Sequence, residues 1–157
     1  MKKYLVFKSP IGKIKITEQD SKIIEIKLID DDIFVEDSNC KSKILLQTKK
    51  ELEEYFSLKR KTFDIPIKFS GSDFKLKVWN ELLNIPYGKT KSYGVIATLM
   101  GNKKASRAVG MACNRNPLMI VVPCHRVIGK NKKLVGYAGG IDIKQKLLDL
   151  ESGNVND

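Results

Sequence analysis

A chain of 157 residues, 42% of them apolar and with a formal charge of +11, can bury one medium core or two small ones. No apolar run approaches the roughly 20 residues of a membrane helix, and the first ten residues, broken by lysines, do not make a secretory signal, so a cytoplasmic protein with no membrane partner is expected. The charge suits a polyanionic partner, although 25 of the 29 basic residues are lysines, and its distribution says more than its size: residues 71–157 carry 14 basic and 6 acidic residues against 15 and 12 in residues 1–70, and between Lys75 and Ile141 the single acid is Glu81.

The chain opens on three candidate strands, Tyr4 to Phe7, Lys13 to Thr17 and Ile23 to Leu28, the first two joined by a Ser9-Pro10-Ile11-Gly12 turn; this predicts an antiparallel meander. Ile44, Leu45, Thr48, Leu52, Tyr55 and Phe56 recur at helical spacing over Ser42 to Phe56, so a helix should cover that sheet. Lys59 to Ser70 reads as an exposed crossing, dividing an N-terminal α/β domain over 1–70 from a C-terminal helical domain over 71–157. In the second domain Ser72 caps a helix with Phe74, Val78, Leu82 and Leu83 on one face. Further helices fit Ser92 to Met100 and Lys104 to about Asn114, with Gly101-Asn102 between them, the outline of a helix-turn-helix. Leu118 to Val122 reads as a short buried strand, Gly129 to Lys133 as a polar loop and Gly136 to Gly140 as a glycine-rich turn. A last helix carries Ile143, Leu147, Leu148 and Leu150 and closes near Gly153.

Cys40, Cys113 and Cys124 are an odd number without metal-ligand spacing, and His125 is the sole histidine. This predicts free thiols in a reducing compartment and no structural metal. A thiol attacks carbon as thiolate and needs a base or a positive field to become one. Cys124 has His125 as candidate base and Arg126 beside it as a cation favouring the anion. A cysteine behind an apolar run is ordinarily core; the neighbouring imidazole sets this one apart from Cys40 and Cys113. On an extended strand adjacent side chains diverge, so contact between Cys124 and His125 requires a bend, which Pro123 permits. An orienting carboxylate completes such a set, and spacing leaves Glu151 and Asp149 equally open.

Pro123-Cys124-His125-Arg126, followed by Val127-Ile128-Gly129, resembles the acceptor signature of the O6-methylguanine-DNA methyltransferases. The likeness extends to Ser106-Arg107-Ala108-Val109-Gly110, Asn116-Pro117, Gly136-Tyr137-Ala138-Gly139-Gly140, Leu147 to Glu151 and the opening Phe7 to Gly12, and so covers nearly the whole chain. It implies an RNase H-like N-terminal domain and a winged-helix-like C-terminal domain that binds DNA and accepts the alkyl group. By the same resemblance Cys124 is the acceptor, His125 a base acting through water, Glu151 its orienting carboxylate, and Asn116 the tie between recognition helix and acceptor segment. Arg107 would fill the gap left by the extruded guanine, and Tyr93 would press on the neighbouring phosphate. Gly94, Asn102 and Lys130 would meet the DNA backbone, Ser106 and Gly110 would lie along the minor groove, and Tyr137, Ala138 and Val127 would line the base pocket. Ala138 stands where several relatives carry a hydroxyl, and Asn114 where others carry arginine.

The implied chemistry is a one-time, cofactor-free transfer from O6-alkylguanine in double-stranded DNA, with O4-methylthymine and cooperative assembly of monomers on DNA left open. Flipping the nucleotide costs a few kcal/mol, and a minor-groove approach suits a protein indifferent to sequence. The alternatives are a non-catalytic lesion-recognition protein, which the presence of Cys124 disfavours, a thiol hydrolase, and a helix-turn-helix transcription factor reading the major groove.

Overall fold

The computed structural model describes residues 2–32, 42–130, 133–134, 136–137 and 139–153; Cys40 and Ala138 lie outside them. The chain divides into two compact units, Met1–Phe69 and Ser70–Asp157.

In the first unit β1 (Lys2–Ser9), β2 (Gly12–Gln19) and β3 (Lys22–Ile29) form an antiparallel sheet in the order β1-β2-β3. The Ser9–Gly12 turn fixes the register, because Ser9 Oγ donates to the Gly12 carbonyl at 2.6 Å and Gly12 takes φ 127°, a conformation open to glycine. That register aligns Leu5, Ile16 and Ile26 in one rung and Phe7, Ile14 and Leu28 in the next. These rungs face α1 (Lys43–Phe56), which Ser42 caps by accepting from the Leu45 amide and which buries Leu45, Leu52 and Tyr55. Each large apolar side chain buried this way contributes about 1.5–3 kcal/mol. The crossing after α1 is exposed or half-buried throughout, as expected, but it also pairs with the sheet. Ile23 donates its amide to the Pro66 carbonyl at 2.8 Å and accepts from Lys68 N at 2.9 Å, so Ile67 bridges the start of β3 in parallel.

The second unit starts with α2 (Asp73–Leu82), capped by Ser72. Its buried face is Val78, Trp79 and Leu82, while Leu83, expected inside, is 41% exposed. Trp79 takes that place because its indole N–H finds the Ala112 carbonyl at 2.9 Å, which satisfies its one polar atom on burial. After β4 (Lys91–Ser92) come α3 (Tyr93–Leu99), capped by Ser92, and α4 (Ser106–Asn114), a helix-turn-helix. The turn between them uses Gly101 at φ 85°, and Asn102 Oδ1 accepts from the Lys104 amide, so α4 begins two residues later than periodicity predicts.

Leu118 to Val122 is buried except at half-buried Val121, but it is not a strand. Its backbone closes on itself, with Val121 N bonded to Met119 O and Val122 N to Leu118 O, and Ile120 at φ 71°. Local bonds consume the donors that a strand would offer to a neighbour. The ladder forms later, where β5 (Val127–Ile128) pairs in parallel with β4. The unit ends on α5 (Ile141–Ser152), stopped by Gly153 in the left-handed conformation. Among the described residues no helix is long and apolar enough to cross a membrane, and no group of three or more His, Cys, Asp or Glu could hold a metal ion.

Candidate active site

Residues Cys124–Arg126 form a single 3₁₀ turn between Pro123 and β5, with Arg126 N bonded to the Pro123 carbonyl at 3.0 Å. Three residues per turn send consecutive side chains about 120° apart, so three adjacent positions reach different partners. All three are buried, Cys124 at 4%, His125 at 0% and Arg126 at 6% exposure.

The sulfur of Cys124 accepts from Asn116 Nδ2 at 3.1 Å. The same amide nitrogen donates to Val122 O at 2.7 Å, and Asn116 Oδ1 accepts from Leu118 N at 2.9 Å. Asn116, just beyond α4, therefore ties the end of that helix to the acceptor turn. Burial pushes the thiol up from its ordinary value, opposed by the Asn116 bond and by the positive charge of Lys144. The resting sulfur is a protonated thiol, and a base must take its proton when it reacts.

His125 Nε2 sits 2.6 Å from Glu151 Oε2; Asp149, the other candidate carboxylate, accepts instead from Gln145 on an exposed face. Burial lowers the imidazole below its ordinary value, helped by the charges of Arg126 and Lys144 and opposed by Glu151. The ring is therefore neutral, and its buried Nδ1 has no hydrogen-bond partner among the described residues. Arg126 does not serve the sulfur as the sequence suggests. Its guanidinium is committed to Glu151, with Nε at 2.7 Å and Nη2 at 3.0 Å, and to the Ile85 carbonyl at 2.7 Å. Gly88 N also donates to Glu151 at 3.2 Å; at φ 78°, with a Cβ there only 3.3 Å from the Glu151 carbonyl oxygen, this position suits glycine.

The cation that does act on the sulfur is Lys144, a residue sequence reasoning missed. It is wholly buried on the inner face of α5 with Leu147 and Glu151, a position whose helical spacing was the one available signal. Its Nζ donates to Tyr93 Oη at 3.2 Å and lies 5.5 Å from that ring's centroid. Burial lowers the ammonium, while the sulfurs of Cys124 and Cys113 pull it back up. Cys113, on α4, is pushed up to about 12 chiefly by burial. Tyr93 and Tyr137 are both raised, again chiefly by burial. The Tyr137 hydroxyl is buried and has no hydrogen-bond partner of regular geometry among the described residues.

Beside this cluster lies a concavity of about 580 Å³, lined by Tyr93, Gly94, Ser106, Arg107, Gly110 and Lys130 among others. Gly110 faces Tyr93, where an added Cβ would stand 3.8 Å from the ring, an ordinary contact. Met111, which the sequence reading passed over, also lines the concavity at 67% exposure. Asn102 lies outside it, in the exposed turn between α3 and α4, and Val127 is fully buried in β5. Tyr93 belongs to both places. It lines the concavity, accepts from Lys144 Nζ, and makes a long bond from its hydroxyl to the Gly136 carbonyl, 3.4 Å.

Known proteins resemble this chain in sequence and in fold. Residues 73–153 match the family described as 6-O-methylguanine DNA methyltransferase, DNA binding domain, and residues 2–69 match its ribonuclease-like domain. A methylated-DNA–protein-cysteine methyltransferase of Methanosarcina acetivorans is 48% identical over 94% of this chain and 97% of its own length. The constitutive enzyme of that name from Bacillus subtilis is 43% identical, over 96% of each chain. The crystal structure of Mycobacterium tuberculosis O6-methylguanine methyltransferase superposes with a TM-score of 0.86 at 38% identity, covering 99% of this chain and 96% of that one. A structure of the same protein in complex with DNA gives 0.86 over 97% and 94%. With both halves matched in order and nearly the whole length shared, the chain belongs to the O6-methylguanine-DNA methyltransferase family.

Proposed function

We propose that this protein repairs DNA by moving the alkyl group of O6-alkylguanine irreversibly onto Cys124, once per molecule. The observation that carries this reading is the 3₁₀ turn, which holds a buried thiol bonded to Asn116 next to a neutral imidazole backed by Glu151. The thiol gives its proton, through a water, to His125 Nδ1, and Glu151 stabilises the imidazolium formed. Sulfur then attacks the alkyl carbon, the carbon–O6 bond breaks, and guanine leaves with the electron pair. The Tyr93 phenol, fed by Lys144 Nζ, donates toward the departing ring. A thioether has no easy reversal, so turnover ends there and no cofactor is needed.

The second part of the proposal concerns DNA. Lys130 and Arg107 bring positive charge to the concavity, while Gly94, Ser106 and Gly110 keep its wall low enough for a minor groove to approach. Asn102 contacts the backbone from the turn, Arg107 fills the vacated stack, and the flipped base enters past Tyr93 toward Tyr137, Val127 and Ala138. The exposed 3.4 Å bond from Tyr93 to Gly136 is at the weak end of hydrogen-bond geometry, so opening that boundary is cheap. A cytoplasmic monomer is the working form in this reading.

The test is a duplex with a labelled methyl on guanine O6. At most one label per protein should transfer, and Cys124→Ala should abolish transfer while retaining duplex binding, which phosphate contacts dominate. Multiple turnovers would indicate a hydrolase. Binding without transfer by the wild type would indicate a lesion-recognition protein.

A further inference from the structure

We propose that Arg126 is a positioning residue of the proton relay: by engaging Glu151 with two donors it keeps that carboxylate a pure acceptor, and so fixes His125 as the neutral tautomer protonated on Nε2. The geometry is specific. Glu151 Oε1 accepts from Arg126 Nε at 2.7 Å and Gly88 N at 3.2 Å, and Oε2 from Arg126 Nη2 at 3.0 Å. A carboxylate held by a permanently charged guanidinium fork carries no proton of its own. The hydrogen in the 2.6 Å contact with His125 therefore belongs to Nε2, and the lone pair remains on Nδ1.

The fork is itself held from other elements. Arg126 Nη1 donates to Ile85 O at 2.7 Å, and the guanidinium carbon lies 5.7 Å from the centroid of the Tyr87 ring. A lysine could supply the charge at this position but not the paired donors. The charge matters as much as the shape, because a lone buried carboxylate beside an imidazole favours imidazolium, which cannot accept the thiol's proton. The charged and titratable groups around His125 are Glu151 and Lys144 from α5, Arg126 from its own turn and Cys124 before it. Of these only Glu151 draws a proton onto the ring; Arg126 and Lys144 oppose it, in line with an imidazole held below its ordinary value.

His125 is the only histidine in the chain, so nitrogen-15 NMR of the intact protein reads one imidazole without assignment. The wild type should show the neutral Nε2–H form at pH 7; imidazolium there, or a proton on Nδ1, would overturn the proposal. Arg126→Gln should move the imidazole titration up by at least about one unit, a tenfold change in the neutral fraction. The acid limb of methyl transfer from free O6-methylguanine, a substrate that excludes DNA affinity, should move up with it and the rate should recover at alkaline pH. Arg126→Lys should return the titration most of the way toward wild type. A uniform loss of rate at every pH with an unmoved titration would mean that Arg126 only supports the fold. Should Arg126→Gln fail to fold, the wild-type tautomer and Arg126→Lys still decide. The kinetic arm rests on the proposed transfer reaction and the tautomer arm does not, so a protein that shows the Nε2–H form but transfers nothing would sink the reaction and leave the role of Arg126 standing.

Discussion

Asn116→Ala separates the structural and chemical duties of the acceptor turn. The side chain makes three contacts, to Val122 O at 2.7 Å, to Cys124 Sγ at 3.1 Å and from Leu118 N at 2.9 Å. Leu118 and Val122 are completely buried, so truncation strands the Leu118 amide where water does not replace the lost partner easily, while the Val122 carbonyl keeps its bond from Cys124 N at 2.8 Å. The stranded amide costs about 1–3 kcal/mol and the lost bond to Val122 about 0.5–1.5 kcal/mol, and with partial relaxation we expect a total loss of about 1.5–3 kcal/mol, or roughly 3–12 °C in Tm. Sulfur is a weak acceptor, so repeating the substitution in a Cys124→Ala background should change this loss by less than about 1 kcal/mol. Chemistry should suffer separately. Without the Asn116 bond the thiol rises further, and transfer from free O6-methylguanine should slow by at least about tenfold. Urea unfolding and single-turnover transfer measure the two effects. A stability loss under about 1 kcal/mol, or transfer at the wild-type rate, would refute the reasoning.

Other substitutions and conditions probe different links. Lys144→Met removes the ammonium that favours the thiolate and should slow transfer about tenfold at neutral pH, with recovery at higher pH and unchanged affinity for undamaged duplex; an unaltered rate would show that Tyr93 and Cys124 do not depend on this cation. Transfer should hold level down to about the ordinary histidine value of 6.5 and fall only below it, because the folded imidazole is depressed. Stability follows the same sign: the contribution of His125 is complete above the unfolded value and is lost as pH falls through the folded one. A transfer limb above pH 6.5 would contradict a neutral resting imidazole. Arg107→Ala should slow repair of a methylated duplex more than it weakens binding, and equal losses would argue against a role in extruding the nucleotide. Trp79→Phe should cost about 0.5–1.5 kcal/mol through the lost indole bond, since the Ala112 carbonyl keeps its bond from Arg115 N at 3.1 Å, without altering transfer from the free base.

Local signals made much of the fold legible. Serines ahead of apolar periodicity marked three helix starts, at Ser42, Ser72 and Ser92, because each side chain satisfies an amide that the helix leaves open. Glycines marked the turns at Gly12, Gly101 and Gly153, all at positive φ. Composition gave a wrong structure for Leu118 to Val122, since an apolar run reports burial but not backbone geometry. Leu83 and Trp79 exchanged places because the choice depends on a carbonyl 33 residues away. Two charged residues of the site were also misread by rule. Lysine is usually a surface residue, yet Lys144 is buried against a phenol and within the field of two thiols. Arg126, adjacent to Cys124 in sequence, points away to Glu151 because the 3₁₀ turn separates their directions. Sequence spacing also could not separate Glu151 from Asp149, which differ only in the face of α5 they occupy.

The most direct measurement is intact-protein mass spectrometry after incubation with a duplex containing O6-methylguanine, followed by peptide mapping of Cys113 and Cys124. The expected result is a gain of one methyl group per chain, all of it on the Cys124 peptide, with no further gain at excess DNA. An unmodified chain, or a methyl carried by Cys113 instead, would contradict it.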